Sequence, residues 1–296
     1  FRAFFGRVRT GKGGFPHFRA KSMFDSADLP VGDGLSIGKS RKLGIVGIPG
    51  EIKIRWHREL PAGARIAAAV LSRSCGKWHI CFSVEPPAAH GPYPVRAVIG
   101  IDVGLTSLIA TSDGDTVPTP QWAGKASRKQ RRLQRALGRC RRGSRRRLKA
   151  KMRLARHSAR TANQRRDFAH KLSRILVSRY SHIAFENLNV TGLARGMLAR
   201  SVLNAAWGQL ISFTDNKAAN AGGLVTKVNP HGTFQECDGC ERVTPKKLSD
   251  RIHNCPGYGT VVDRDVDAAK VIKHQAFPWS KGPGAGLGAL SPRVAA

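Results

Sequence analysis

The sequence predicts an α/β protein preceded by a small antiparallel β unit. Three observations carry that prediction. Residues from Glu51 to Glu85 alternate with a period of two around a Ser-Cys-Gly turn. Further on, two apolar strands, "VRAVIGIDVG" and "SHIAFENLNV", each carry an acid near their end, and a long basic stretch with helical periodicity lies between them. A last helix opens on a cluster of acids, Asp263, Asp265 and Asp267. Strands that alternate with helices in this way build an α/β domain.

Composition narrows the function before any motif is read. The chain has 296 residues, 41% of them hydrophobic, which is enough for a packed core and too much for a disordered basic tail. Lys and Arg number 51 against 19 Asp and Glu, a formal charge of +32. Repulsion on that scale calls for a polyanion to neutralise it, and nucleic acid is the usual one. A basic membrane-surface protein would need an amphipathic helix with an aromatic or leucine-rich face, or an anchor. No apolar run approaches membrane-spanning length and no signal peptide is visible. Of the six cysteines, Cys75, Cys81 and Cys140 are scattered, while Cys237, Cys240 and Cys255 cluster. That distribution fits a reducing compartment with one metal cluster rather than a disulfide framework. A chain that begins at Phe1 instead of Met is expected to be a fragment.

The elements follow in order. Residues 1–42 are basic, Gly-rich and aromatic, as in "FRAFFGRVRTGKGGFPHFRAK". They read equally as a solvated surface segment and as a place where arginines contact backbone while rings stack on bases. Ile52, Ile54 and Trp56 then alternate with Lys53, Arg55 and His57, and "ARIAAAVLSR" and "KWHICFSVE" flank the turn as a hairpin. This is a barrel-like antiparallel unit, with Cys75 in the turn and Cys81 in the strand core, and it ends at "EPPAAHGPYP". A buried strand bearing Asp102 starts after Val95, and the small Gly100 and Gly104 leave room for something to approach that acid. Residues 128–166 hold eighteen Lys or Arg and no acid. Leu148, Met152, Ala155, Ala159 and Ala162 nonetheless recur at helical spacing, Ala169, Leu172 and Leu176 continue the stripe, and Leu133 and Leu137 form a shorter one. The spacing predicts an antiparallel helical hairpin over 128–180 with a narrow apolar seam. Most charge runs are solvated faces, but nothing inside this one relieves its repulsion, so contact of Arg139, Arg141, Arg145, Arg146 and Arg147 with phosphate is the better reading. Glu186 ends the next strand, a helix is predicted through "LARSVLNAAWGQLISFTDNKAANAG", and the strand "LVTKVNP" follows. After the cysteine cluster comes the last helix, from Asp263 to about His274, and then a Gly/Pro/Ala-rich tail over 278–296.

The acids assemble on this order of elements. Asp102 lies on a first strand, Glu186 on a later one and Asp265 at the entry of the last helix. Carboxylates at the ends of neighbouring strands can converge with one from a helix packed over the sheet. Hard oxygen ligands suit Mg2+ or Mn2+, and two such ions about 4 Å apart can activate water and stabilise the leaving oxygen in phosphodiester cleavage.

The stretches "GIDVGLTSLIATSDG", "IAFENLNV" and "DRDVDAAKVI" resemble the three RuvC-like nuclease motifs of the TnpB family, the RNA-guided nucleases of insertion sequences that are related to type V CRISPR effectors. "GFPHFRAK", "LSRSCGKWHICFSVE" and "ANQRRDFAHKLSRILV" are similar to that family as well, so the resemblance runs over nearly the whole chain. It implies an α/β, RNase H-like (RuvC-type) nuclease domain with a helical insertion and a zinc ribbon, preceded by a small β-barrel domain. The expected boundaries are 1–94 for the basic segment and barrel-like domain, 95–230 for the nuclease core, 231–260 for the ribbon insert and 261–277 for the final helix. Asp102, Glu186 and Asp265 are then the catalytic, Mg2+-binding acids, a guide RNA and target DNA the partners, and a prokaryotic cytoplasm the location, with no membrane association.

Three departures from the family pattern stand out. The family has Asn where this chain has Asp267, and the extra carboxylate could perturb the metal site or face solvent. Glu241 stands where a glycine follows the first Cys-x-x-Cys. The ribbon is degenerate, because Tyr258 replaces its fourth cysteine. That leaves Cys237, Cys240 and Cys255, completed by His253 or water, or else a metal-free loop. By ligand count the chain is expected to hold little zinc. Function is expected to be RNA-guided, metal-dependent DNA cleavage. The rivals are a catalytically silent RNA-guided DNA-binding protein and a structural RNA-binding protein.

Overall fold

The Ser-Cys-Gly turn does close a hairpin. In the computed structural model, which describes residues 25–30, 34–38, 41–85, 97–120, 122–246, 250–257 and 259–280, strands β5 (Arg65–Ser74) and β6 (Lys77–Glu85) pair antiparallel, from Arg65 opposite Glu85 to Ser74 opposite Lys77. Cys75 and Gly76 take positive φ of 52° and 79° in the turn, a backbone twist that matches the strands on either side. Strand β1 (Ser26–Pro30) pairs with β5, and a second sheet consists of β2 (Leu35–Ile37), β3 (Lys42–Ile45) and β4 (Ile48–Lys53). Strands therefore begin well before Glu51. Leu35, Leu43, Ile45 and Ala69 share one core between the two sheets, and no ladder joins the sheets among the described residues. Cys81 is exposed rather than in the strand core, because the hairpin turns its face outward. The aromatic segment before residue 25, the Pro-rich stretch 86–96, Tyr258 and the tail after Ser280 lie outside the described residues.

The chain divides into two compact units, Phe1–Ala89 and His90–Ala296. The second is an α/β unit on a five-stranded sheet. Strands β7 (Ala97–Val103), β8 (Ser107–Thr111) and β9 (Thr116–Pro118) form an antiparallel meander. Strand β10 (Tyr180–Glu186) then joins β7 in parallel, and β11 (Leu224–Val228) joins β10 in parallel, so the spatial order is β11-β10-β7-β8-β9. Parallel partners need long crossovers, and between β9 and β10 the sequence supplies one from the basic stretch.

That stretch is the expected hairpin: α1 (Trp122–Gly138) and α2 (Arg145–Arg179), the latter 35 residues long. Gly143 turns the chain at φ 79°, and Ser144 caps α2 by accepting from the Arg147 amide at 3.1 Å. The predicted stripe is its seam. Met152, Ala155, Ala159 and Ala162 are half-buried, and Ala169, Leu172 and Leu176 are buried, whereas Leu148 next to the turn is exposed. Ala169, Leu172 and Leu176 pack with Ile99, Ile101, Val103, Ile183 and Phe185, the residues on one face of the parallel strands.

After a short α3 (Val190–Leu193), the helix predicted from Leu198 onward is broken. It forms α4 (Ala199–Ala205) and α5 (Trp207–Asn220). Ala206 separates the last two at φ 55°, a left-handed conformation that costs an L-residue roughly 1–2 kcal/mol. The break lets Trp207 bury its ring in the core and donate from Nε1 to the Gly104 carbonyl at 3.2 Å. No helix among the described residues is long and apolar enough to cross a membrane.

The opposite face of the sheet is covered by α6 (Arg264–Ala276), which packs on β7. Gly100 makes this possible. A Cβ there would lie 2.0 Å from the Ala269 carbonyl oxygen and 2.5 Å from the Lys273 nitrogen. The room beside Asp102 is thus taken by helix backbone. Gly100→Ala is expected to lower stability by roughly 2–3 kcal/mol, read from the urea midpoint, because neither backbone segment can yield.

Candidate functional site

The parallel register sets two carboxylates side by side. Ile101 pairs with Phe185, and the next residue on each strand is an acid, Asp102 on β7 and Glu186 on β10. In-register parallel strands turn equivalent positions to the same face, which here is the face that carries Gly100 and Ala184 against α6. The third acid comes from the start of that helix. Asp263 caps it by accepting from the amides of Asp265 at 2.9 Å and Val266 at 3.2 Å, which fixes Asp265 in the first turn.

The charges of the other two acids bear on Asp102. Burial, followed by the charges of Glu186 and Asp265, pushes Asp102 up from 3.8 to about 7, against the opposing pull of Arg264. Glu186 is also raised by burial, while a short hydrogen bond donated by Thr233 Oγ1 to Glu186 Oε1 opposes the shift. Asp265 Oδ1 accepts from Arg264 Nε at 3.1 Å and Nη2 at 2.8 Å, and Arg251 Nη1 lies 3.6 Å from Oδ2. Among the described residues, the group with three ligand atoms within 4.8 Å of one another is Cys237, His253 and Cys255, so the acids stand wider than that. Like charges without a cation repel, and the guanidinium draws Asp265 to itself.

Asp267 belongs elsewhere. Two residues along a helix differ by about 200° in direction, so it faces away from Asp265. It is buried, neither at the acids nor in solvent. Its Oδ2 lies 3.5 Å from His253 Nδ1 and 3.9 Å from Lys246 Nζ, and its Oδ1 accepts from the Asp238 amide at 3.4 Å. The acidic cluster thus divides into a helix cap, a site acid and a support.

The cysteine segment is a pair of tight turns. Cys237 N donates to Arg242 O at 3.1 Å, and Glu241 N donates to Cys237 O at 2.8 Å. Glu241 sits at φ 59°, the left-handed conformation for which a glycine is suited. Strands β12 (Ile252–Asn254) and β13 (Val261–Asp263) form a short hairpin that leads into α6. Cys237, His253 and Cys255 are all buried, and Cys240 Sγ lies 3.4 Å from Cys255 Sγ. Thiolate and imidazole donors suit zinc, whereas the three carboxylates suit Mg2+ or Mn2+.

Of the five arginines singled out in the hairpin, Arg139, Arg141, Arg145 and Arg146 are exposed. Arg147 is half-buried, and its Nη1 donates to the carbonyls of Leu137 and Cys140, both at 3.1 Å, closing the end of α1. Beside the hairpin, a cleft of about 560 Å³ is lined by Gln130, Arg131, Arg165, Arg200 and Asn204, among others.

Residues 79–197 match the OrfB_IS605 family, described as "Probable transposase", and residues 207–272 match the family described as "Cas12f1-like, TNB domain". A protein of Streptomyces pristinaespiralis named "Putative RNA-guided DNA endonuclease" is 35% identical over 225 residues, 75% of this chain and 56% of its own. "Putative RNA-guided DNA endonuclease InsQ" of Escherichia coli K12 is 27% identical over 87% of this chain and 67% of its own. The chain belongs to the TnpB family. It spans just over half the length of the Streptomyces relative. A Cas12f1 structure, solved as a complex with sgRNA and target DNA, shares the fold at a TM-score of 0.51 and 16% identity, over 71% of this chain and 46% of that one.

Within this TnpB-family chain, sequence reasoning did not find Thr233, which holds Glu186 and is 1% exposed. Its position, 47 residues beyond Glu186, gave no local signal. Arg264 was in view inside "DRD", but its contact with the neighbouring acid depends on the helix cap.

Proposed function

We propose that this chain carries the nuclease core of an RNA-guided, divalent-metal-dependent DNA endonuclease, with an RNase H-like fold of RuvC type. The observation that supports it best is the raised Asp102, a carboxyl forced upward by burial and by the charges of Glu186 and Asp265. A buried carboxyl disturbed by two neighbouring acids on a basic protein makes a cation site. Asp102, Glu186 and Asp265 would hold Mg2+ or Mn2+, which supplies an activated water and charge stabilisation at the leaving oxygen. Thr233 keeps Glu186 aimed at the site. Arg264 donates to Asp265 from Nε and Nη2 and holds that acid in place. Gly100 sets the depth at which α6 carries Asp265.

The partners are a guide RNA and the DNA it pairs with. Base pairing supplies sequence, while the exposed arginines of the hairpin and the cleft beside it supply backbone contact. The reading is tested with the chain, the RNA transcribed beside its reading frame and a matching duplex. Cleavage that requires Mg2+ and stops with a chelator is expected. Guided binding without cutting would move the protein to the silent DNA-binding reading, and RNA binding without guided DNA binding would leave only a structural RNA-binding role.

A further inference from the structure

Ligand count predicts a broken ribbon, yet the buried geometry points to a repaired one. In extended chain, side chains two residues apart share a face. His253 and Cys255 are both wholly buried, while Ile252 and Asn254 are exposed. Their ligand atoms and that of Cys237 lie within 4.8 Å of one another. Cys240 joins them through Cys255 at 3.4 Å, near the ~3.8 Å that separates two thiolates each about 2.3 Å from one tetrahedral zinc.

The imidazole supplies the second, independent observation. Buried polar groups nearly always have a hydrogen-bond partner. His253 is 0% exposed, and neither ring nitrogen makes a hydrogen bond among the described residues. Its Nδ1 instead faces Asp267 Oδ2 at 3.5 Å. A ring that turns one nitrogen to a carboxylate and has a ligand atom within 4.8 Å of two cysteine sulfurs is arranged as metal-ligating histidines are.

We propose that His253 replaces the missing cysteine as the fourth ligand of a Cys3His zinc site with Cys237, Cys240 and Cys255, and that Asp267 orients it by accepting from its other nitrogen. Two of the three departures from the family pattern, the residues at 258 and 267, are then one adaptation. A carboxylate at 267 accepts a charge-assisted bond from the imidazole, and Lys246, whose side chain is 5% exposed, balances it. Asp267 also takes the Asp238 amide, inside the Cys237–Cys240 turn. Zinc, the first knuckle and the helix that carries Asp265 are thereby fastened together. The site does not depend on whether the acids cut DNA.

Zinc content and the cobalt-substituted spectrum of the purified full chain test this. About one zinc per chain is expected for the wild type. His253→Ala should lose most of it under a competing chelator. His253→Cys should keep one equivalent and raise the sulfur-to-cobalt charge-transfer absorbance by about a third, as three thiolates become four. Asp267→Asn should keep the stoichiometry but bind zinc roughly 10–100-fold more weakly. A wild type without zinc, or a His253→Ala protein with unchanged zinc and spectrum, overturns the assignment. If His253→Ala does not fold, the His253→Cys spectrum decides alone, and one identical to the wild type's excludes His253 as a ligand.

Discussion

Asp102→Asn is expected to abolish cleavage and, at pH 8 without metal, to make the protein more stable. Both effects come from one carboxyl. In the folded chain it titrates at about 7 instead of 3.8. Between those values the native state keeps a proton that the unfolded chain has released, so this group's contribution to stability falls as pH rises through that window. Its cost is complete above about pH 7 and absent below about pH 4. A shift of this size corresponds to something on the order of 4 kcal/mol, and an amide of the same shape removes it. The difference in unfolding free energy between Asp102→Asn and wild type in a chelator should therefore be large at pH 8 and vanish toward pH 4. Mg2+ should raise wild-type stability at pH 8, leave it unchanged near pH 5 and have little effect on the variant, because only the ionised acid holds the ion. Cleavage should fall by at least about a thousandfold with RNA binding intact, as expected when charge stabilisation at the reacting centre is lost. A variant no more stable than wild type at pH 8 would mean that Asp102 is not under electrostatic strain, and the three acids would lose their claim to be one site.

Much of this site was legible because its signals are local. An acid at the end of a short apolar strand stands out against the cost of burying it, and two such strands with an acid-headed helix give the order of the site. The hairpin was legible for the same reason, since a seam of Met and Ala at spacings of three and four survives an arginine coat. What the sequence hid depends on contacts made at a distance. Thr233 reaches Glu186 only once β10 and β11 are paired. The break at Ala206 has no glycine or proline to announce it, because burial of Trp207 against the Gly104 turn outweighs a local backbone cost. Asp267 looked like a third member of an acidic cluster. Helix geometry turns it through about 200° from Asp265 and into the ribbon. His253 was one candidate to complete the three cysteines, and the sequence did not show that it and Cys255 lie in extended chain, where a separation of two brings side chains to one face.

The same separation of local from distant governs the basic hairpin, where arginines that look alike in sequence do different work. Changing Arg139, Arg141, Arg145 and Arg146 together to Gln should weaken RNA binding on the order of a hundredfold at physiological salt. The slope of log affinity against log salt should flatten by about three, since each neutralised phosphate releases most of one counterion. Helix content and the unfolding midpoint should barely move, because all four side chains are exposed. Arg147→Gln should do the reverse. Its guanidinium holds the carbonyls of Leu137 and Cys140, so the variant should lose stability on the order of 1–2 kcal/mol, through two charge-assisted bonds, with the salt slope nearly unchanged. Parallel titrations at 50 and 200 mM salt with a thermal melt of each variant separate the two roles. A salt slope that stays the same in the fourfold variant would show that this run of charge is only a solvated face, and would shift the RNA to the arginines of the neighbouring cleft.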